Sequence, residues 1–255
     1  MSVLLEVRAL QKSFGGVRAL DAVSFSVAAG EFLALIGPNG AGKSTCFNIV
    51  NGQLAADAGE ILLGGEPILG LGPRRIWRKG VGRTFQVAAI FGSLTVRENV
   101  QMALLSHAGE VFRFWRAAAA RHREAADGLL AEVGMAEAGG RAARELAYGD
   151  VKRVEFAVAL ANRPRLLLMD EPTAGMAPRE RNELIALVKR MVRERGISVL
   201  FTEHSMDVVF AHADRIIVLA RGRLIAEGDA KTIRDDPKVR EVYFGSGRTF
   251  ERRRA

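Results

Sequence analysis

Cysteine is nearly absent from this sequence, and the lone Cys46 excludes an internal disulfide framework and fits a reducing compartment. Long apolar runs are absent too, since no stretch approaches the roughly 18 to 20 uninterrupted apolar residues that span a bilayer. The first residues lack the basic-then-apolar pattern of a secretory leader, so the chain is expected to stay in the cytoplasm. There is no internal repeat, low-complexity tract or Gly/Ser linker, and each chemical motif occurs once, which predicts a single unit. The formal charge of +8 invites an anionic partner. The basic residues are nevertheless scattered, apart from Arg252, Arg253 and Arg254, and no aromatic-interleaved basic patch accompanies them, so nucleic acid is not an expected partner.

What remains is ordinary globular material: 255 residues, 49% of them hydrophobic and 26% charged, enough for one extended domain or two intimate lobes. Alternation of apolar and polar residues at Leu4 to Leu10 and at Ala22 to Val27 predicts antiparallel strands with one wet face. The run from Glu31 to Ile36 reads as a buried strand ending in glycine. From Thr95 to Leu146 the periodicity is helical, with Ala117 to Ala120, Arg121, Arg123 and Glu124 adding propensity, so this block reads as a helical lobe. Leu166 to Met169 is short, apolar and bounded by Pro164 and Pro172, which predicts a central parallel strand. A helix over Pro178 to Arg195, a strand over Ser198 to Thr202 and a short helix from Ser205 follow. Strands at Arg215 to Leu219 and around Leu224 to Glu227, with one or two C-terminal helices, complete an α/β layout.

Directly after the predicted strand at Glu31 to Ile36 stands Gly37-Pro38-Asn39-Gly40-Ala41-Gly42-Lys43-Ser44, followed by Thr45 and a helical run. This is the G-x-x-x-x-G-K-[ST] spacing in the context it requires. Glycines let backbone amides approach a polyphosphate, Lys43 brings positive charge to the β- and γ-phosphates, and the Ser44 hydroxyl ligates magnesium. Asp170-Glu171 lies at the end of the buried Leu166 to Met169 run, and adjacent residues leaving a strand point different ways. Asp170 can hold the magnesium shell while Glu171 polarises an attacking water. A third stretch, Leu146-Ala147-Tyr148-Gly149-Asp150, heads another helical run. If this terminus receives an anion, an acid there is out of place; otherwise Asp150 is an ordinary N-cap.

Taken in chain order, Phe14, the Gly37 to Ser44 loop, Gln86 in Arg83-Thr-Phe-Gln86, the Leu146 to Asp150 stretch, Asp170-Glu171 and His204 make the sequence resemble an ABC transporter ATPase subunit over nearly its whole length. That resemblance implies a P-loop NTPase fold with a RecA-like core, an antiparallel β subdomain and a helical subdomain. Core and β subdomain would cover about 1–90 and 160–255, and the helical subdomain about 91–159. It implies ATP and Mg2+ as cofactors. Phe14 would stack on adenine, Gly37 to Thr45 would hold the phosphates, and Gln86 would sense magnesium and the attacking water. His204 would bond the γ-phosphate, with Glu171 and Lys43 catalytic beside it and Ser44, Gln86 and Asp170 on the metal. In that family two subunits face head to tail, so Ala147, Tyr148 and Gly149 would meet the ATP of the partner subunit, while 87–92 would face a membrane partner.

A finer likeness is carried by Ser13 to Leu20, Gly82 to Gln86, Phe91 to Asn99, the Leu-Ala-Tyr-Gly core, the helical segment around Glu110 to Val133 and Glu241 to Gly245. Together they resemble ATPase subunits of branched-chain amino acid importers. This implies membrane permease subunits, a second ATPase subunit of the same or a related kind, and, indirectly, a periplasmic solute-binding protein as partners. The location implied is peripheral, on the cytoplasmic face of the bacterial plasma membrane. Phe112, Phe114 and Trp115 beside Arg113 and Arg116 read either as a membrane-surface contact or as the packed face of a helical lobe.

Three positions depart from the general pattern. Ala147 lacks the signature serine hydroxyl, Asp150 replaces glutamine, and Ala177 stands where the family has aspartate or asparagine that communicates across the dimer. Within about 5 Å of a triphosphate, Asp150 would be repelled by about 3 kcal/mol at an effective dielectric of about 20. It is therefore expected to cap its own helix and leave Gly149 and backbone amides to the phosphate, gaining roughly 0.3 to 1 kcal/mol from the dipole. The same departures keep open a module that clamps ATP with little turnover. A non-transport ABC ATPase is the other alternative.

Overall fold

Two 12-residue strands, β1 (Val3–Phe14) and β2 (Val17–Ala28), flank the Gly15-Gly16 turn and pair antiparallel. Both run well past the alternating segments that predict them, and bulges break the period of two: Ala9 and Ala22 sit at φ +45° and +53°, and the register shifts around Leu10. The computed structural model describes residues 2–85, 89–110 and 121–244. These fall into two compact units, one made of the chain up to Gly72 with the chain from Ser198 onward, the other of Pro73–Ile197.

In the first unit, β1 and β2 join β4 (Ala58–Leu63) and β5 (Glu66–Pro67) in an antiparallel sheet of order β2-β1-β4-β5. Beside it runs a strand set of mixed direction. β3 (Phe32–Ile36) pairs parallel with β8 (Ser198–Thr202) on one side and β9 (Arg215–Ala220) on the other, and β10 (Arg223–Gly228) closes antiparallel on β9. Every residue of β3 and β8 is buried, the pattern of parallel strands covered on both faces. Phe32 and Phe201 meet here with ring centroids 4.5 Å apart. Three short helices complete the unit after β8: α7 (Met206–His212), α8 (Ala230–Asp235) and α9 (Pro237–Phe244). The earlier α1 (Lys43–Val50) follows β3.

The second unit is mostly helical. It contains α2 (Pro73–Arg78), β6 (Val81–Thr84), α3 (Val96–His107), α4 (Arg123–Glu132), α5 (Tyr148–Leu160), β7 (Leu166–Asp170) and α6 (Pro178–Arg195). β6 and β7 pair parallel from Val81↔Leu166 to Thr84↔Met169. The helical block expected over Thr95 to Leu146 is interrupted. α3 begins at a capping box between Thr95 and Glu98, α4 is closed by Gly134 at φ +73°, and the following residues form turns that bring Thr95 and Ala142 into a bridge. Ala117 to Ala120 and the aromatic-basic run Phe112 to Arg116 lie outside the described residues. α6 has the same bounds as its sequence reading, since Pro178 starts it at N1 and Gly196, left-handed at φ +64°, ends it. Among the described residues no helix is long and apolar enough to cross a membrane.

Candidate functional site

The turn from β3 into α1 is shaped by what it cannot hold. A Cβ on Gly37 would lie 2.1 Å from the Leu219 carbonyl oxygen, and one on Gly42 would lie 2.5 Å from the Ala19 carbonyl oxygen, so both positions accept only glycine. Gly42, the N-cap of α1, is left-handed at φ +106°. Lys43 is buried, and its ammonium donates to the carbonyls of Gly37 (2.7 Å) and Pro38 (3.1 Å). Ser44 is exposed beside it, and the first turn of the helix carries no acid. The result is a concave run of backbone amides with positive charge, a cradle for a polyphosphate. Cys46, two residues further on, takes no part: burial pushes its thiol up to about 12, so it carries no thiolate at neutral pH.

Other members of the expected set lie in the same unit. Phe14 is 49% exposed at the end of β1, although the Lys12 ammonium stands over one face of its ring, 5.5 Å from the centroid. His204 is exposed just past β8, and its backbone N–H donates to the Glu203 carboxylate at 3.1 Å. Sequence reading overlooks Tyr243, on α9. Its hydroxyl accepts from the Gly37 N–H, while burial drives its ionisation well above the usual tyrosine range.

The carboxylates belong to the second unit. Asp170 ends β7, and Arg83 of β6 reaches it, Nη2 to Oδ2, at 3.4 Å. Glu171 occupies the left-handed region at φ +48°, which costs a non-glycine residue about 1–3 kcal/mol and turns the chain sharply away from the strand. Both acids are half-buried at the end of the strand. Oxygen donors of this kind suit a hard divalent cation such as magnesium, and so does the exposed Ser44 hydroxyl.

The stretch from Leu146 to Asp150 corrects one expectation. Ala147 is the N-cap of α5 and offers no side-chain acceptor, while Asp150 lies within the first helical turn. Asp150 is therefore not the cap, although its charge still complements the helix dipole by about 0.3–1 kcal/mol. Among the described residues its carboxylate has no hydrogen-bond or ion-pair partner. Tyr148 is 46% exposed, and a Cβ on Gly149 would meet only Glu180 and Met176 at 3.6 Å. Ala177 is the N-cap of α6, again without a side-chain acceptor. Gly175 lies beside the Tyr148 ring, at 3.6 Å from its virtual Cβ, so the three departures from the family pattern, Ala147, Asp150 and Ala177, sit in neighbouring turns of one unit.

Also missed from sequence is a buried pair on α5, Lys152 and Glu155, whose i,i+3 spacing on an otherwise apolar face was the available signal. Gln86, 87–88 and Gly245 lie outside the described residues.

A glycine-shaped turn between a buried parallel strand and a helix, with a lysine folded into it, defines a P-loop nucleotide-binding protein. The chain belongs to the ABC transporter ATP-binding family, whose ATPase domain model matches residues 20–174. A second model, that of the branched-chain amino acid ATP-binding cassette transporters, matches 223–249. The chain is 39% identical over 249 residues to the high-affinity branched-chain amino acid transport ATP-binding protein BraF of Pseudomonas aeruginosa, covering 95% of this chain and 98% of that protein. LivG of Escherichia coli K12, of the same description, is 37% identical over 250 residues with coverage of 95% and 98%. Among solved structures, a nucleotide-free ATP-binding cassette from an ABC transporter superposes with a TM-score of 0.85 at 33% identity, covering 95% of this chain and 99% of that one. A cassette in its ADP conformation gives 0.86 at 32% identity, covering 96% and 100%.

Proposed function

We infer that this chain is the ATP-hydrolysing motor subunit of an importer, moving branched-chain amino acids or a related small amide or acid solute. The observation that carries the motor reading is Lys43 folded into a glycine-only turn, and it is supported in the second unit by Asp170-Glu171 at the end of a buried strand. The solute class is supported by the likeness to BraF and LivG and by the match over 223–249.

In this reading Gly37 to Thr45 hold the triphosphate through backbone N–H groups, and binding draws the Lys43 ammonium from the loop carbonyls toward the β- and γ-phosphates. Phe14 stacks on the base and His204 donates to the γ-phosphate. Glu171 accepts the proton of the attacking water. Ser44, Gln86 and Asp170 hold magnesium, which when bound neutralises phosphate charge. Ala147, Tyr148 and Gly149 complete the nucleotide site of a second ATPase subunit, with Asp150 turned from the phosphates. The 87–92 segment faces permease subunits, and a periplasmic solute-binding protein delivers the solute to them, with this chain peripheral on the cytoplasmic face.

Phosphate release by the chain assembled with its permease, with and without solute-loaded binding protein, tests this. Solute-stimulated turnover is expected, and Glu171→Gln should keep ATP binding while lowering turnover by about 10²–10⁴. Tight ATP binding with near-zero turnover in the unmodified complex would instead identify a clamp, the reading that Ala177 and Asp150 favour.

A further inference from the structure

One turn beyond the Ala147 cap, α5 points a lysine and a glutamate inward. Lys152 and Glu155 are each 3% exposed, and Nζ lies 3.2 Å from Oε2. Burying two charges carries a desolvation cost that an apolar pair of the same volume avoids, so stability is a poor reason for the pair. Its geometry supplies another. Glu155 Oε1 accepts from the Phe85 N–H at 2.8 Å and, at greater length, from the Ala89 N–H at 3.4 Å. Lys152 Nζ donates to the Phe85 carbonyl at 2.7 Å. Both backbone groups of Phe85 are thus taken by side chains of one helix, which fixes its peptide orientation from both sides.

The chain of contacts continues at each end. Lys152 Nζ also stands 5.8 Å from the ring centroid of Tyr148. At the other end the Arg83 guanidinium lies 4.8 Å from the Phe85 ring centroid and reaches Asp170 at 3.4 Å. A continuous series, Asp170–Arg83–Phe85–Lys152–Tyr148, therefore runs inside the second unit.

We propose that Lys152 and Glu155 are positioning residues that tie the two flanks of Gln86, at Phe85 and Ala89, to the helix bearing Tyr148. A displacement of Phe85 imposed by the membrane partner is then felt at Tyr148 and, through Arg83, at Asp170. The inference rests on the motor reading above. Lys152 neutralises Glu155 and donates to the Phe85 carbonyl, which an acceptor-only carboxylate cannot bond, so the tie needs both residues.

The test uses Lys152→Met, Glu155→Gln and the conservative Lys152→Arg, each in the full chain and in the complex with permease and solute-loaded binding protein. Amide exchange at Phe85 and Ala89 should speed up about tenfold in the first two variants, with Val151 to Val154, which begin with the Val151 N–H bonded to the Ala147 carbonyl, accelerated alongside. The ratio of solute-stimulated to unstimulated turnover should fall about fivefold while ATP affinity stays within about twofold. Lys152→Arg should restore both. Two results overturn the proposal: a lower melting temperature with both turnover rates reduced in proportion, or loosening at Phe85 and Ala89 that leaves Val151 to Val154 unchanged. Should Lys152→Met not fold, Glu155→Gln against Lys152→Arg decides. Should the unmodified complex show no stimulated turnover, the motor reading fails, and the linked exchange of 85, 89 and 151–154 still decides the tie.

Discussion

The turn into α1 and the turn into α5 each deliver a helix N-terminus, yet they are built in opposite ways. The first is closed by its own chain. Gly37 and Gly42 lie against backbone carbonyls that leave no room for a Cβ, and Lys43 is buried with two loop carbonyls as partners. The second is open: Gly149 has only ordinary 3.6 Å neighbours, Tyr148 projects outward, Ala147 supplies no cap, and an acid stands in the first turn. On the proposed reading, a turn that grips a triphosphate through its own backbone needs rigid local geometry, whereas a turn that meets the nucleotide of a second subunit leaves the final fit to association.

The sharpest break in this contrast comes from adding one methyl group to each turn. Gly42→Ala forces a Cβ to 2.5 Å from the Ala19 oxygen in a left-handed conformation, and ATP affinity of the isolated chain should fall by about 100-fold, read by nucleotide titration. Unchanged affinity would show that the α1 turn is as tolerant as the α5 turn.

Gly149→Ala should do the reverse. The chain gains up to about 1 kcal/mol in thermal unfolding from helix propensity. Turnover of the assembled complex should drop by about tenfold, because the backbone approach is lost to the partner subunit's nucleotide. Equal loss of ATP binding by the single chain would collapse the distinction between the two turns.

Smaller effects sharpen the open turn and its neighbour. Ala177→Asp supplies the missing cap of α6 and should raise stability by about 1 kcal/mol, measured by denaturant unfolding. Asp150→Gln should cost less than about 1 kcal/mol, the dipole contribution alone, and leave turnover of the complex within about twofold. A large loss of turnover in that variant would give the carboxylate a direct role at the nucleotide.

Much of this was readable before folding. The eight residues from Gly37 to Ser44 carry their own backbone demands, so spacing and residue type announce the turn wherever it sits. The bounds of α6 are equally legible, because proline at N1 and glycine after the last turn act locally. Asp150 failed as a cap for a local reason as well. A cap depends on which residue starts the helix, and α5 starts from Ala147, three residues before the Asp150 that cap preference alone would choose. The strands β1 and β2 extend beyond the segments that alternation marks because Gln11 to Phe14 and Val17 to Ala19 are half-buried or exposed and carry no period of two.

By itself, the sequence determined the phosphate turn, the paired acids after a buried strand and the α/β order of elements, since each depends on neighbours a few residues apart. Only the tertiary structure decided that Lys43 folds back on its own loop, that Arg83 meets Asp170 across two parallel strands, and that Lys152 and Glu155 are spent on Phe85. The last contact joins residues 67 positions apart. The i,i+3 spacing of a lysine and a glutamate on an apolar helix face only hints at a buried pair; whether they are buried depends on which distant backbone groups arrive to satisfy them.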